Sequence, residues 1–167
     1  MKTISSLISK QSRLSLTRNA IWCLSNICGK KTKVEFSRIE PALPVLAKSL
    51  YNNDIDVLAD ACWAFSYLSN GSDEEMYAQL QKIIEANVCP RLVELLTHES
   101  SVVVVPALRT LGNIISGDDS QTQVVLNCNI LPNLLQLLNS PKASIRREAC
   151  WTLSNITAGN TSQKQVI

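Results

Sequence analysis

Residues 147–156 read REACWTLSNI, and the stretch returns three more times: RNAIWCLSNI at 18–27, ADACWAFSYL at 59–68 and VPALRTLGNI at 105–114. In each copy an Ala stands two places before a Trp, replaced by Arg109 in the third copy. Four places after the Trp comes an Asn, replaced by Tyr67 in the second copy. Residues four apart share a helix face, so each copy presents a large flat side chain beside an amide or hydroxyl. A second marker keeps step with the first: LPVLAKSL at 43–50, CPRLVELL at 89–96 and LPNLLQLL at 131–138. Its prolines Pro44, Pro90 and Pro132 each lie 19 residues before Trp63, Arg109 and Trp151, and the Trp-type positions are 41, 46 and 42 residues apart.

Two independent markers holding one offset three times identify an internal repeat, and a period in the forties belongs to armadillo or HEAT helical units. Each Pro suits a first helical turn, where its missing N–H costs nothing, and leucines follow it at helical spacing. Polar turns come next: 52–54, 97–100 and 139–142. The Trp-bearing helix is then stopped by Gly71, Gly117 or Gly159, glycine being usual just past a helix end. A first helix fits residues 73–86 and 119–129, and more poorly and briefly 33–39. Three helices per unit favour an all-α, right-handed superhelical solenoid of armadillo type over two-helix HEAT. The division is a divergent or frayed segment at 1–16, a last helix at 17–29, units near 33–71, 73–117 and 119–159, and the start of another at 160–167. Counting 19 back from Trp22 reaches Thr3, where Ile4, Leu7 and Ile8 are a poor substitute for the leucine helix. Neither end carries a polar cap, so the chain reads as a piece of a longer solenoid.

With 46% hydrophobic and 18% charged residues, the chain reads as soluble and globular. The net charge of +2 hides an asymmetry: residues 1–34 carry seven basic residues and no acid, while the remainder carries all fourteen acids and nine basic residues. That mildly acidic body suits a basic partner better than a nucleic acid. Six cysteines contain no CxxC pair. Cys62 and Cys150 each precede a repeat Trp, and all six read as small buried hydrophobes in a reducing compartment. The single His98 leaves no zinc-type set, so no metal or cofactor is expected. The sequons at Asn70, Asn155 and Asn160 read as chance matches. No apolar run approaches a membrane span of roughly 18 residues. Residues 1–15, Ser-rich and acid-free, weakly resemble a mitochondrial transit peptide; a frayed helix fits better, because the repeat begins at once.

A row of Trp side chains on stacked helices makes shallow slots that take Lys or Arg stems, each contact giving ~0.5–2 kcal/mol. A row of Asn amides can pair with the backbone of an extended peptide whatever its sequence, at a net ~0.5–1.5 kcal/mol each. Asp60 and Glu148, three places before their Trp, would select the cationic heads. Micromolar binding requires about −8 kcal/mol, so several slots must fill together. The alternative makes Trp22, Trp63 and Trp151 core residues and the Asn side chains bridges or caps; repetition of the pair in register favours the surface reading.

WCLSNIC, ACWAFSYLSNG, PALRTLGNIISGDDSQTQ and REACWTLSNITAG closely resemble the central armadillo repeats of the importin-alpha (karyopherin-alpha) family, over residues 17–167 and at about repeats four to seven. The irregularities match too, with Tyr67 for Asn in one repeat and Arg109 for Trp in the next. The resemblance implies a nuclear import adaptor that binds basic nuclear localisation signals on its concave face, in cytoplasm and nucleus. Trp22 and Asn26 correspond to the last pair of the major signal site, and Asp60, Trp63 and Tyr67 to the joining repeat. Arg109, Asn113, Glu148, Trp151 and Asn155 correspond to the minor site, with Asp119, Thr122 and Ser154 as further contacts. An arginine in a basic-peptide groove needs neutralising, and Glu148 on the next helix is the expected partner. Nothing resembles the basic arm that recruits importin-beta, so direct binding of that partner is not expected, nor are nucleic acid or membrane partners. Two other functions compete. A catenin-like scaffold would lack this regular Trp–Asn ladder. An enzyme would need a phosphate loop, nucleophile set or carboxylate pair that does not stand out; Asp118-Asp119, in a loop at a helix end, reads as an N-cap. A truncated paralogue without a binding role also fits the sequence.

Overall fold

The computed structural model describes residues 14–29, 34–71 and 74–165. The expectations for residues 1–13, including those at Thr3, Ile4, Leu7 and Ile8, lie outside them. Eleven α-helices follow one another with no strand among the described residues. Helix α1 (Leu14–Cys28) precedes a unit made of α2 (Phe36–Ile39), a 3-10 turn (Glu40–Ala42), α3 (Leu43–Ser49) and α4 (Ile55–Leu68). The next unit is α5 (Glu74–Glu85), α6 (Cys89–Leu95) and α7 (Ser101–Ile115); the third is α8 (Asp119–Asn127), α9 (Leu131–Leu138) and α10 (Ala143–Ala158). A short α11 (Thr161–Lys164) follows.

The Trp-bearing helices stack directly: α1 on α4, α4 on α7 and α7 on α10. Within each unit the second helix packs on the third, α3 on α4, α6 on α7 and α9 on α10. One apolar core runs the length of the stack, with Leu24, Leu46, Phe65, Leu92, Leu108, Leu111, Ile114 and Leu134 fully closed to solvent. Close approach of α10 to α7 depends on Gly112, where a Cβ would lie 2.5 Å from the Trp151 ring and 2.9 Å from Thr152 Oγ1.

Local chemistry repeats with the units. Asn87 and Asn129 take positive φ (55° and 59°), each three places before a marker proline. Asn tolerates the left-handed region, so it turns the chain from first to second helix. The equivalent place in the first unit is Pro41, whose ring fixes φ negative; the chain instead runs through the 3-10 turn, and α2 is only four residues long. Before each third helix a side chain accepts the N-cap N–H: Asn52 Oδ1 from Asp54 at 2.8 Å, His98 Nδ1 from Ser100 at 3.0 Å, and Ser140 Oγ from Lys142 at 3.3 Å. Residues following the marker prolines tie units together, Arg91 Nε donating to the Leu50 carbonyl and Asn133 Nδ2 to that of Val93.

One expectation holds with a different cause, and one needs correction. The helices end at Ile115 and Ala158, so Gly117 and Gly159 stand just past them as expected, but no glycine adopts positive φ. These two make room: a Cβ at either would sit 2.2 Å from the Oε1 of Gln121 or Gln163. Nor are the cysteines uniformly buried. All six are free, and Cys28, Cys62 and Cys89 are buried, but Cys128 is half-buried and Cys23 and Cys150 are exposed. Cys62 is covered by the helix stacked on α4, whereas no further third helix among the described residues stacks on α10. Burial pushes the thiols of Cys28, Cys62 and Cys89 up to about 12.

Candidate functional site

Stacking of α1, α4, α7 and α10 sets the repeat positions in a row. The indoles are not core residues: Trp22 is 57% exposed, Trp151 is 38% exposed and Trp63 is half-buried. Their helices bury the opposite face instead, through Ile21 and Leu24 on α1, Ala61, Cys62 and Phe65 on α4, and Ala149 and Ile156 on α10. Tyr67 stacks on Trp63 with ring centroids 5.6 Å apart and planes at 28°. The phenol therefore extends the indole surface along α4 where the other copies carry an amide.

Arg109 pairs with Glu148 as a two-pronged ion pair between α7 and α10, Nε to Oε2 at 3.3 Å and Nη2 to Oε1. The hydrogen bond to Glu148 is the main cause holding the Arg109 guanidinium above its ordinary pKa, with burial opposing it. One consequence departs from the expectation that both acids await a peptide cation: Glu148 is already engaged. Asp60 stands at the same repeat position, and α1 carries Trp22 where α7 carries Arg109. Among the described residues no hydrogen bond or ion pair holds its carboxyl. Burial, and secondly the charge of Asp56, raise the pKa of that carboxyl.

The amides are likewise only partly free. Asn113 is buried, and its Nδ2 donates to Ser69 Oγ at 2.9 Å and to the Ser66 carbonyl at 3.4 Å. Asn155 Nδ2 points at the Gly112 carbonyl at 3.4 Å. Each nitrogen thus braces its helix on the one before, as the bridging alternative foresaw. Asn26 is exposed on α1. Ser154 is exposed, its hydroxyl bonded back to the Trp151 carbonyl. Asp119 is exposed at the start of α8, but Thr122 is 3% exposed with its hydroxyl donated to the Ile115 carbonyl. That bond fastens α8 to the end of α7 and leaves Thr122 little surface to offer a peptide.

A cavity of about 350 Å³ is lined by Asn70, Arg109, Asn113, Arg147, Glu148 and Trp151. It gathers four of the expected residues into one slot and adds Arg147, which the sequence reading passed over. The signal was present: Arg147 precedes Trp151 by four places, the same-face spacing. Trp22 and Asn26 lie two helices away, in a separate stretch of the row. Arg18, in the register position of Arg147, was missed as well. It binds the N-cap Asp54 at 3.0 and 2.6 Å and Asp56 at 3.1 Å, fixing α1 to α4. Asp118 caps α8 as expected, Oδ1 accepting from the Gln121 N–H at 2.9 Å within a full capping box. No cluster of three or more His, Cys, Asp or Glu suited to a metal occurs among the described residues. Among the described residues no helix is long and apolar enough to cross a membrane.

The Armadillo/beta-catenin-like repeat family matches residues 38–70, 77–116 and 118–158. Importin subunit alpha-1a of Oryza sativa subsp. japonica is 53% identical over 115 residues, 69% of this chain and 21% of that protein. Importin subunit alpha-B of Dictyostelium discoideum is 54% identical over 106 residues, 64% of this chain and 20% of that protein. The chain thus spans about a fifth of the length of these curated relatives. Among solved structures, a designed armadillo repeat protein in complex with the peptide (KR)4 superposes with a TM-score of 0.85 at 29% identity, covering 97% of this chain and 66% of that one. A computationally designed armadillo protein for modular peptide recognition gives 0.86 at 28% identity, with the same coverage. The chain belongs to the armadillo-repeat family, with importin alpha subunits among its sequence relatives.

Proposed function

We propose that the row of third helices binds extended, Lys- and Arg-rich peptides of the nuclear localisation signal type, so that the chain acts as a cargo-binding part of a nuclear import adaptor in cytoplasm and nucleus. The observation that carries this reading is the exposure of the Trp22 and Trp151 indoles on helices whose opposite faces are fully buried. An exposed indole on a helix with an abundant core face takes a lysine stem at ~0.5–2 kcal/mol. The acidic balance of residues 35–167 and the unengaged Asp60 favour cationic side chains. The (KR)4 ligand of a designed relative and the importin alpha names of the sequence relatives point the same way. Trp22, Asn26, Asp60, Trp63 and Tyr67 form one binding stretch; Arg109, Asn113, Asp119, Glu148, Trp151, Ser154 and Asn155 form the other, with Thr122 beneath it. These residues hold cargo and have no catalytic role, and importin-beta is not bound by them directly.

Fluorescence anisotropy tests the proposal with a bipartite basic peptide, the same peptide with Lys→Ala changes, and the protein carrying Trp151→Ala and Asn155→Ala. Binding should weaken with both controls and as salt rises. Binding that ignores the peptide's lysines and the double substitution would sink it.

A further inference from the structure

Asp119 is held from the following unit by a device that the unit before does not share. Asn160 caps α11, its Oδ1 accepting from the Gln163 N–H at 3.0 Å and from Ser162 Oγ at 2.8 Å. That leaves Nδ2 to donate to Asp119 Oδ2 at 3.2 Å, across 41 residues. Gln163, 1% exposed, closes the arrangement: its Oε1 accepts from the Asn160 N–H at 3.1 Å, and its Nε2 donates to the Asp119 carbonyl at 2.8 Å.

The equivalent turn one unit earlier makes the comparison. Asp118 caps α8 in the same way, and Gln121 Nε2 donates to the Tyr77 carbonyl at 2.9 Å, again 44 residues back. Tyr77 therefore occupies the position of Asp119. Where that position is Tyr, the cap is Asp; where it is Asp, the cap is Asn. The two cap helix ends about equally well, so capping does not explain the choice. The contact does: a carboxylate at 160 would repel Asp119, whereas an amide donates to it.

We infer that Asn160 is a positioning residue that orients the Asp119 carboxylate toward cations at the end of the α7–α10 slot. The inference rests on the basic-peptide reading of the groove. Asn160 lies two residues past the end of α10 and Asp119 four past the end of α7, so their contact joins the two turns that follow these helices. A carboxylate held by a donor on one oxygen keeps the other for a ligand, and loses less freedom when the ligand arrives.

Asn160→Ser tests this cleanly. Serine keeps the cap acceptor but is too short to reach Asp119, and the charge is unchanged. Wild type, Asn160→Ser, Asp119→Asn and the double variant are titrated by anisotropy against a bipartite Lys/Arg peptide, with thermal unfolding run in parallel. Asn160→Ser should bind about three- to tenfold more weakly, because the Asp119 carboxylate must then be ordered when the ligand arrives, with little change in thermal midpoint, the lost bond being exposed. The loss should vanish in the Asp119→Asn background and with the Lys→Ala peptide. Unchanged affinity in Asn160→Ser, or an equal loss without the Asp119 carboxylate, overturns the role of Asn160 alone. Failure of the wild type to bind the basic peptide overturns the groove reading itself.

Discussion

Replacing Gly112 with alanine sets two effects of opposite sign against each other. Gly112 lies inside α7, and an alanine in a helix interior is favoured over glycine by ~1 kcal/mol. Helix propensity alone therefore makes Gly112→Ala stabilising. The new Cβ, however, would lie 2.5 Å from Cζ3 and 3.0 Å from Cε3 of Trp151, and 2.9 Å from Thr152 Oγ1. Thr152 cannot simply turn aside, because its hydroxyl is donated to the Glu148 carbonyl at 2.8 Å and the residue is fully buried. The indole must swing outward or α10 must retreat from α7, at a cost in the range of ~1–3 kcal/mol for overpacking. Retreat also stretches the Asn155 contact to the Gly112 carbonyl, already 3.4 Å. We expect a net destabilisation of ~1–2 kcal/mol, lowering the thermal midpoint by about 2–8 °C for a chain of this size. Far-UV circular dichroism during thermal and urea unfolding measures it. A variant as stable as wild type, or more so, would show that α7 and α10 are not held at the spacing described and would refute the reasoning.

Glu148→Gln keeps size and one acceptor oxygen but removes the charge opposite Arg109 and the second acceptor; it should cost about 1 kcal/mol, the guanidinium being substantially solvated, and should weaken basic-peptide binding by leaving Arg109 unneutralised. If neither urea stability nor affinity changes, the pair does not align the groove. Asp60→Asn should behave oppositely in the two assays. The folded-state pKa of Asp60 is raised, so its ionised form opposes folding. The stability it contributes is full below the unfolded carboxyl value of about 3.9 and declines as pH rises through the folded value. At neutral pH the asparagine variant should unfold at higher temperature yet bind the basic peptide less tightly; a drop in both would contradict an unengaged carboxylate. Iodoacetamide at neutral pH should modify Cys23 and Cys150 in the folded protein. Cys28, Cys62 and Cys89, buried with thiols near 12, should react only on unfolding; mass spectrometry that finds Cys62 labelled as fast as Cys150 would mean that α7 does not cover α4.

The stack was legible because it is written twice, in a proline and in an indole that keep one offset, and neither signal depends on contacts between distant residues. The exposed indoles and the Arg109–Glu148 pair were legible for the same reason, since register alone places 109 beside 148. What register could not tell was how a polar group divides its bonds. Asn113 and Thr122 sit where a ligand contact was expected, yet their donors are taken by Ser69 and by the Ile115 carbonyl, a choice settled by packing across helices. Gly117 and Gly159 do stand just past helix ends, but the nearest atom a Cβ would meet belongs to a glutamine four residues later, which local reading could not show. The shortness of α2 was legible, but not its cause, Pro41 standing where Asn87 and Asn129 turn left-handed in the later units.

The bracing of α7 and α10 by asparagine nitrogens gives their part of the groove a sense of direction. With Nδ2 of Asn113 and Asn155 turned back onto the preceding helix, the ladder meets an incoming strand with oxygens. A strand whose N–H groups face those oxygens can dock with every brace intact, whereas one that presents carbonyls must first break a tie between helices. Reversing a strand changes which of its side chains accompany the N–H groups on that side, so chain polarity becomes part of what is recognised. A peptide and its sequence-reversed counterpart, equal in charge and composition, would then differ in affinity by the cost of loosening the scaffold.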